Sequence, residues 1–136
     1  MKSTDDFKVR VVNSQTIDGE LEEVSESGHG SIREKNGTYY IVYKTDAASV
    51  MIKTDGSYVN LKRVGDVSSE MHYEKGKSTV FAYNTPYGTI NMSIFTRSIV
   101  CRLTSEGGTL RIEYVLETGG DKLYNDILIK MEKQKG

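Results

Sequence analysis

The sequence has no tryptophan, a single proline, a single cysteine and two histidines. Each shortage excludes something. A lone cysteine, Cys101, cannot form an internal disulfide, which fits a reducing compartment. His29 and His72 stand far apart, and no Cys or His spacing resembles a zinc pattern. Cys101 shares a phase with Ile99 and Leu103, so it reads as a buried, inert thiol. The longest apolar runs are four or five residues, against about 20 for a membrane-spanning helix. The opening residues, MKSTDDFKV, lack the apolar segment of a signal peptide. A cytoplasmic location, with no membrane partner, is the expectation. No charge excess exists either: 18 basic and 19 acidic residues leave a net charge of −1. That balance gives no field to steer the chain toward nucleic acid.

Catalytic signatures are missing as well. There is no nucleophile elbow, no phosphate-binding loop and no dinucleotide fingerprint. No nucleophile with a tuned acid–base partner can be assembled, so enzyme activity is not expected, and neither is a cofactor or a metal. The acidic run Glu20, Glu22, Glu23, Glu26 reads as charge on an exposed strand face. Lys130, Lys133 and Lys135 are too few for a nucleic-acid patch.

What is present is the signature of strands. The chain of 136 residues suits one domain, 1–136, with frayed ends at 1–6 and 132–136. Turn signals recur at Asn36-Gly37, Asp55-Gly56, Lys75-Gly76, Tyr87-Gly88, Gly107-Gly108 and Gly119-Gly120. Between them, apolar residues alternate with polar ones, the period of a half-buried strand. Leu110, Ile112, Tyr114 and Leu116 form one such face, and so do Ile90, Met92 and Ile94. Ile99, Cys101 and Leu103 form another, as do Tyr39, Ile41 and Tyr43, and Ile127, Ile129 and Met131. No long helix is predicted. Residues 19–27 read as an irregular strand, and Gly28 and Gly30 as a bulge or bend at a barrel corner. The pattern predicts an all-β antiparallel meander of eight or more strands, sandwich or barrel, and closing the sheet would remove its edges.

Two features put polar groups on core faces. Arg63 shares a phase with Val59 and Leu61, so its guanidinium points inward and needs an acceptor. That acceptor is either a structural carboxylate or a bound anion, which the fork geometry of arginine also suits. Asn13 and Gln15 share a phase with Val9, Val11 and Ile17. They mark either the point where the strand leaves the core or the wall of a wet cavity.

The run RVGDVSSEMHYEKGKSTVFAYNTPYGTINMSIFT, residues 63–96, resembles the bacterial DUF1934 family. Arg63, Gly65, Met71, Glu74, Gly76, Phe81, Tyr83 and Thr96 carry the resemblance, with the run Thr85-Pro86-Tyr87-Gly88 at its centre. Weaker similarity covers Ile17-Asp18-Gly19, KNGTYYIVY and GGTLRIEYVLE. Tyr73 departs from the family in standing where a phenylalanine is expected. The resemblance implies a lipocalin-like, calycin-like closed β-barrel and no activity. The chain cannot hold the G-x-W motif of true lipocalins, because it has no tryptophan.

Two functions then compete with an enzyme. The first is a small-molecule-binding barrel, with Arg63, Tyr73, Tyr83, Tyr87, Thr96 and Tyr114 as candidate ligand contacts. The second is a filled barrel acting as an interaction module, possible homodimer included, through outward residues such as Tyr40, Val42, Val100 and Leu128. Residues 79–84 and 89–95 are read as two strands, with Thr85-Pro86-Tyr87-Gly88 as the β-turn between them.

Overall fold

The computed structural model describes residues 7–134. Ten strands form one closed barrel: β1 (Phe7–Ile17), β2 (Glu20–Lys35), β3 (Thr38–Lys44), β4 (Ala48–Thr54), β5 (Tyr58–Gly65), β6 (Ser68–Glu74), β7 (Ser78–Thr85), β8 (Gly88–Thr104), β9 (Gly107–Thr118) and β10 (Asp121–Lys133). Each strand pairs antiparallel with the next, and β1 pairs with β10 to close the ring. The expected frayed residues 1–6, 135 and 136 lie outside the described residues. Glu132 and Lys133 are paired with Lys8 and Phe7.

The alternation of the sequence sets which side chains fill the barrel. Val9, Ile41, Val50, Ile52, Val59, Ile94, Leu110, Ile112 and Ile129 are almost wholly removed from water. Burial of one such side chain stabilises by about 1.5–3 kcal/mol. The turn Asn36-Gly37 has φ of 53° and 83°, as the two-residue hairpin connection requires. Asp18-Gly19 does the same at 50° and 80°.

Three local expectations change. Gly107-Gly108 is not the turn; Ser105 and Glu106 are, and the two glycines begin β9. Gly28 and Gly30 are not a bulge: the pairing of β2 with β1 runs through both, and that with β3 through Gly30, without a register shift. They are glycines because β3 comes so close: a Cβ on Gly28 would lie 2.1 Å from the Lys44 carbonyl oxygen, and one on Gly30 would lie 2.0 Å from that of Val42. The bulge is in β8 instead. Thr96 pairs with Tyr114 and Ser98 with Glu113, leaving Arg97 as the extra residue. The inward phase accordingly switches from Ile94 and Thr96 to Ile99, Cys101 and Leu103.

Because a meander reverses at every turn, the turns after β1, β3, β5, β7 and β9 gather at one end, the upper end. The wall has two irregularities, the first at this end and the second below it, where β6 and β7 part beneath their uppermost pairs. β2 pairs with β1 over residues 20–30 but with β3 only over residues 29–35, so its upper half has β1 as its sole ladder partner. β6 and β7 pair only at Ser68 with Asn84 and Ser69 with Tyr83. Lower down, Thr79 Oγ1 donates to the His72 carbonyl at 2.7 Å, and the Gly76 amide donates to the Thr96 carbonyl at 2.8 Å.

Candidate functional site

Arg63 lies two residues from the end of β5, facing inward at the upper end. Its two terminal nitrogens donate to the two carboxylate oxygens of Glu26, each at 3.2 Å. Glu26 comes from the upper half of β2, with β3 and β4 lying between it and β5 in the wall. The pair therefore spans the barrel mouth. It is partly open to water, with side chains 30% and 25% exposed. Glu20, Glu22 and Glu23 are exposed, as read for the acidic run, and Glu26 alone departs from that reading. Ile32, Gly30 and Gly28 are buried, and the same parity carried upward places Glu26 inward. That signal was in the sequence.

Arg63 belongs to a row around the rim. Tyr43 pairs with Val50, Val50 with Arg63, Arg63 with Ser69, and Ser69 with Tyr83. Neighbouring side chains at one level of a sheet lie about 5 Å apart at Cβ. Three hydroxyls and one guanidinium thus share a level across five consecutive strands. Burial pushes the Tyr43 phenol well above its ordinary value, the charge of Glu26 adds to this, and that of Arg63 opposes it. The Tyr43 hydroxyl stays protonated at neutral pH and can donate. Tyr43 and Ser69 were not among the expected contacts, although Tyr43 had been placed on the inner face.

On the opposite wall a second polar row runs inward. Gln15 pairs with Asn125, Asn125 with Tyr114, and Tyr114 with Thr96. Gln15 Nε2 and Asn13 Nδ2 both donate to Asn125 Oδ1, at 3.0 and 3.4 Å. Asn125 Nδ2 donates in turn to the Leu123 carbonyl at 3.0 Å. Asn13 Oδ1 and Thr96 Oγ1 are buried with no protein partner among the described residues. A buried oxygen of this kind costs about 1–3 kcal/mol unless water or a ligand meets it. The amides expected on the core side therefore form a network rather than simply marking the end of the core.

The tyrosines divide. Tyr73 and Tyr114 meet edge to face with ring centroids 4.9 Å apart, forming a floor beneath the polar rim. Burial is the first cause that raises both phenols. Tyr83 packs against the core from β7. Tyr87 does not join them. Its side chain is 99% exposed, because the turn that carries it projects beyond the last strand pair, Thr85 with Gly88. The turn itself is as expected: Thr85 Oγ1 accepts from the Tyr87 amide at 3.1 Å and donates to the Gly88 carbonyl at 3.0 Å. It lies at the same end as Arg63, but its aromatic ring points into water.

A cleft of about 510 Å³ opens where β6 and β7 part. Its lining mixes inward residues, Arg63, Ser69 and Phe81, with outward ones such as Val80, Ala82 and Asn84. Lys62, Val64 and Glu70 line it from the outer face as well, so most of its lining is outward. A cleft of about 550 Å³ on the outer wall, lined by Lys8, His29, Lys44 and Asp46, lies where the pairing of β2 with β3 ends. Among the described residues, no group of three His, Cys, Asp or Glu side chains is placed to hold a metal. His72 faces outward, between Asn60 and Glu74.

A family model described as "Domain of unknown function (DUF1934)" matches residues 9–129. Comparison with curated proteins gives no match. Among solved structures, the chain is similar to the ywiB protein from Bacillus subtilis, with a TM-score of 0.84 and 22% identity. The match covers 95% of this chain and 92% of that one. At that identity the likeness concerns the fold.

Proposed function

The chain belongs to the DUF1934 family, whose description assigns no activity, and from that footing we propose that it is a small-molecule-binding barrel. The site is the polar upper interior, reached through the cleft between β6 and β7. One observation carries this reading: the rim row of Tyr43, Arg63, Ser69 and Tyr83 faces inward beside a cleft of about 510 Å³. Ligand sites commonly measure about 300–1,000 Å³ and combine apolar walls with a few convergent polar groups. Phe81 supplies an apolar wall here, and the row supplies the polar groups. Of the expected contacts, Arg63 and Tyr83 belong to the rim, while Tyr73, Tyr114 and Thr96 lie deeper. Tyr87 is not part of the site.

Native mass spectrometry of protein purified from its own host tests the reading. A retained small molecule, lost when Arg63 and Ser69 are both replaced by alanine, is the expected result. Bare protein, together with no thermal shift across a metabolite library, would overturn it.

A second reading rests on the outer wall. Phe95 pairs with Val115 and Val115 with Tyr124, which places three apolar residues side by side on β8, β9 and β10. Phe95 and Tyr124 are exposed. In this reading the barrel is an interaction module and the row is covered by a second copy. Light scattering after size exclusion tests it, and a monomer at high concentration would refute it.

A further inference from the structure

The rim row is rich in donors. A guanidinium offers five N–H groups and no acceptor, and each hydroxyl can donate as well. Glu26 supplies the carboxylate that meets them, and three features make its hold loose. Both nitrogen–oxygen distances are 3.2 Å, whereas tight charge-assisted pairs lie near 2.7–2.9 Å. Both side chains are partly wetted, so solvent screens their attraction. Glu26 also sits on the half of β2 that pairs only with β1, so no ladder to β3 fixes its position.

The cleft between β6 and β7 leads to the same guanidinium. Arg63, Ser69 and Phe81 are its inward lining residues, while Lys62, Glu70, Val80 and Ala82 line it from the outer face. Its inward lining thus offers one aromatic ring, Phe81, and one cation, Arg63. We infer that the barrel takes a small carboxylate with an apolar body, whose head group replaces Glu26 on Arg63. Glu26 is then an internal stand-in for the ligand, keeping the guanidinium paired until the ligand arrives. The end-on fork that Arg63 presents to the Glu26 carboxylate is the geometry any carboxylate would use. This inference rests on the small-molecule reading above and names its ligand class.

Calorimetric titration with benzoate and with its neutral isostere benzamide tests it. Glu26→Gln removes the competing charge and keeps the shape. Benzoate should bind this variant at least tenfold more tightly than the wild-type chain. Binding should vanish in Glu26→Gln/Arg63→Gln. Benzoate affinity that is unchanged by Glu26→Gln, or that survives loss of Arg63, would overturn the inference. If benzamide binds every variant as well as benzoate does, the small-molecule reading stands and the carboxylate inference falls. Should Glu26→Gln fail to fold, the wild-type chain carries the test through the carbon-13 resonance of the Glu26 carboxylate. A shift that saturates with benzoate, and that benzamide does not produce, supports displacement. An unmoved resonance at saturating benzoate refutes it.

Discussion

Arg63 and Glu26 are 37 residues apart in the chain and on strands that do not pair, yet their side chains meet through two hydrogen bonds of 3.2 Å. The contact ties the upper half of β2, which has only β1 as a ladder partner, to β5, three strands further round the barrel. Replacing either partner leaves the other facing the interior. Glu26→Gln or Arg63→Gln should each cost about 1–2 kcal/mol, lower than for a deeply buried pair because water reaches both groups. The double variant should recover part of that, with a coupling of about 1 kcal/mol. Urea unfolding of the four chains measures it, and a coupling near zero would show that the contact adds nothing to stability.

Three phenols resist ionisation. Burial, first among the causes, raises Tyr43, Tyr73 and Tyr114 above the ordinary value of 10.0. A group whose folded value is raised contributes stability that is complete below the unfolded value and is lost as pH climbs past it. Stability should therefore be flat with respect to these groups up to about pH 10 and fall above it. Absorbance at 295 nm should show these three phenols ionising only as the protein unfolds. A single smooth titration of all nine tyrosines in the folded protein would contradict this.

Glycine replacement separates crowding from backbone conformation. At Gly30 a Cβ would meet the Val42 carbonyl oxygen at 2.0 Å, and that oxygen belongs to a paired strand that cannot easily retreat. At Gly37 the space is open, but φ is +83°. Gly30→Ala should cost about 2–3 kcal/mol, as overpacking does, while Gly37→Ala should cost about 1 kcal/mol. Equal losses on urea unfolding would mean that β3 yields to the added methyl.

Much of this architecture was readable because its signal is local. Val59, Leu61 and Arg63 alternate with polar residues, so the inward direction of Arg63 follows from the period of a strand. The same holds for Tyr114 beside Leu110 and Ile112. Glu26 was missed because residues 20–26 show no apolar phase; only register with β1, where Glu26 faces Val11, and parity with Ile32 turn it inward. The opening between β6 and β7 has no local signal. Both segments alternate as well as any other, and they part because of how the closed wall curves and staggers. Tyr87 faces water for the opposite reason. It belongs to a conspicuous motif, but a turn residue beyond the last strand pair has no inner face to occupy.

Tyr87→Ala should accordingly change stability by less than about 0.5 kcal/mol, as exposed positions do, and leave ligand binding intact. Thr85→Ala, which removes both hydrogen bonds of the turn, should cost about 1 kcal/mol. Thermal or urea unfolding compares the two. A Tyr87 effect larger than that of Thr85 would mean that the ring is covered in solution.

The parting of β6 and β7 should be visible in hydrogen exchange. β8 and β9 share an almost unbroken ladder from Ser93 with Glu117 to Thr104 with Gly107. β6 and β7 share two pairs, so amides of residues 70–73 that point toward β7 have no ladder partner there. Those amides should exchange orders of magnitude faster than the β8–β9 amides, through local opening rather than global unfolding. Joining the strands tests the role of the opening. Glu70→Cys and Ala82→Cys face each other if the register of Ser69 with Tyr83 is extended by one residue. An oxidised link between them should slow exchange across the seam and slow ligand uptake, and reduction should restore both. Uptake at an unchanged rate through the closed seam would place the entrance elsewhere, at the mouth spanned by Arg63 and Glu26.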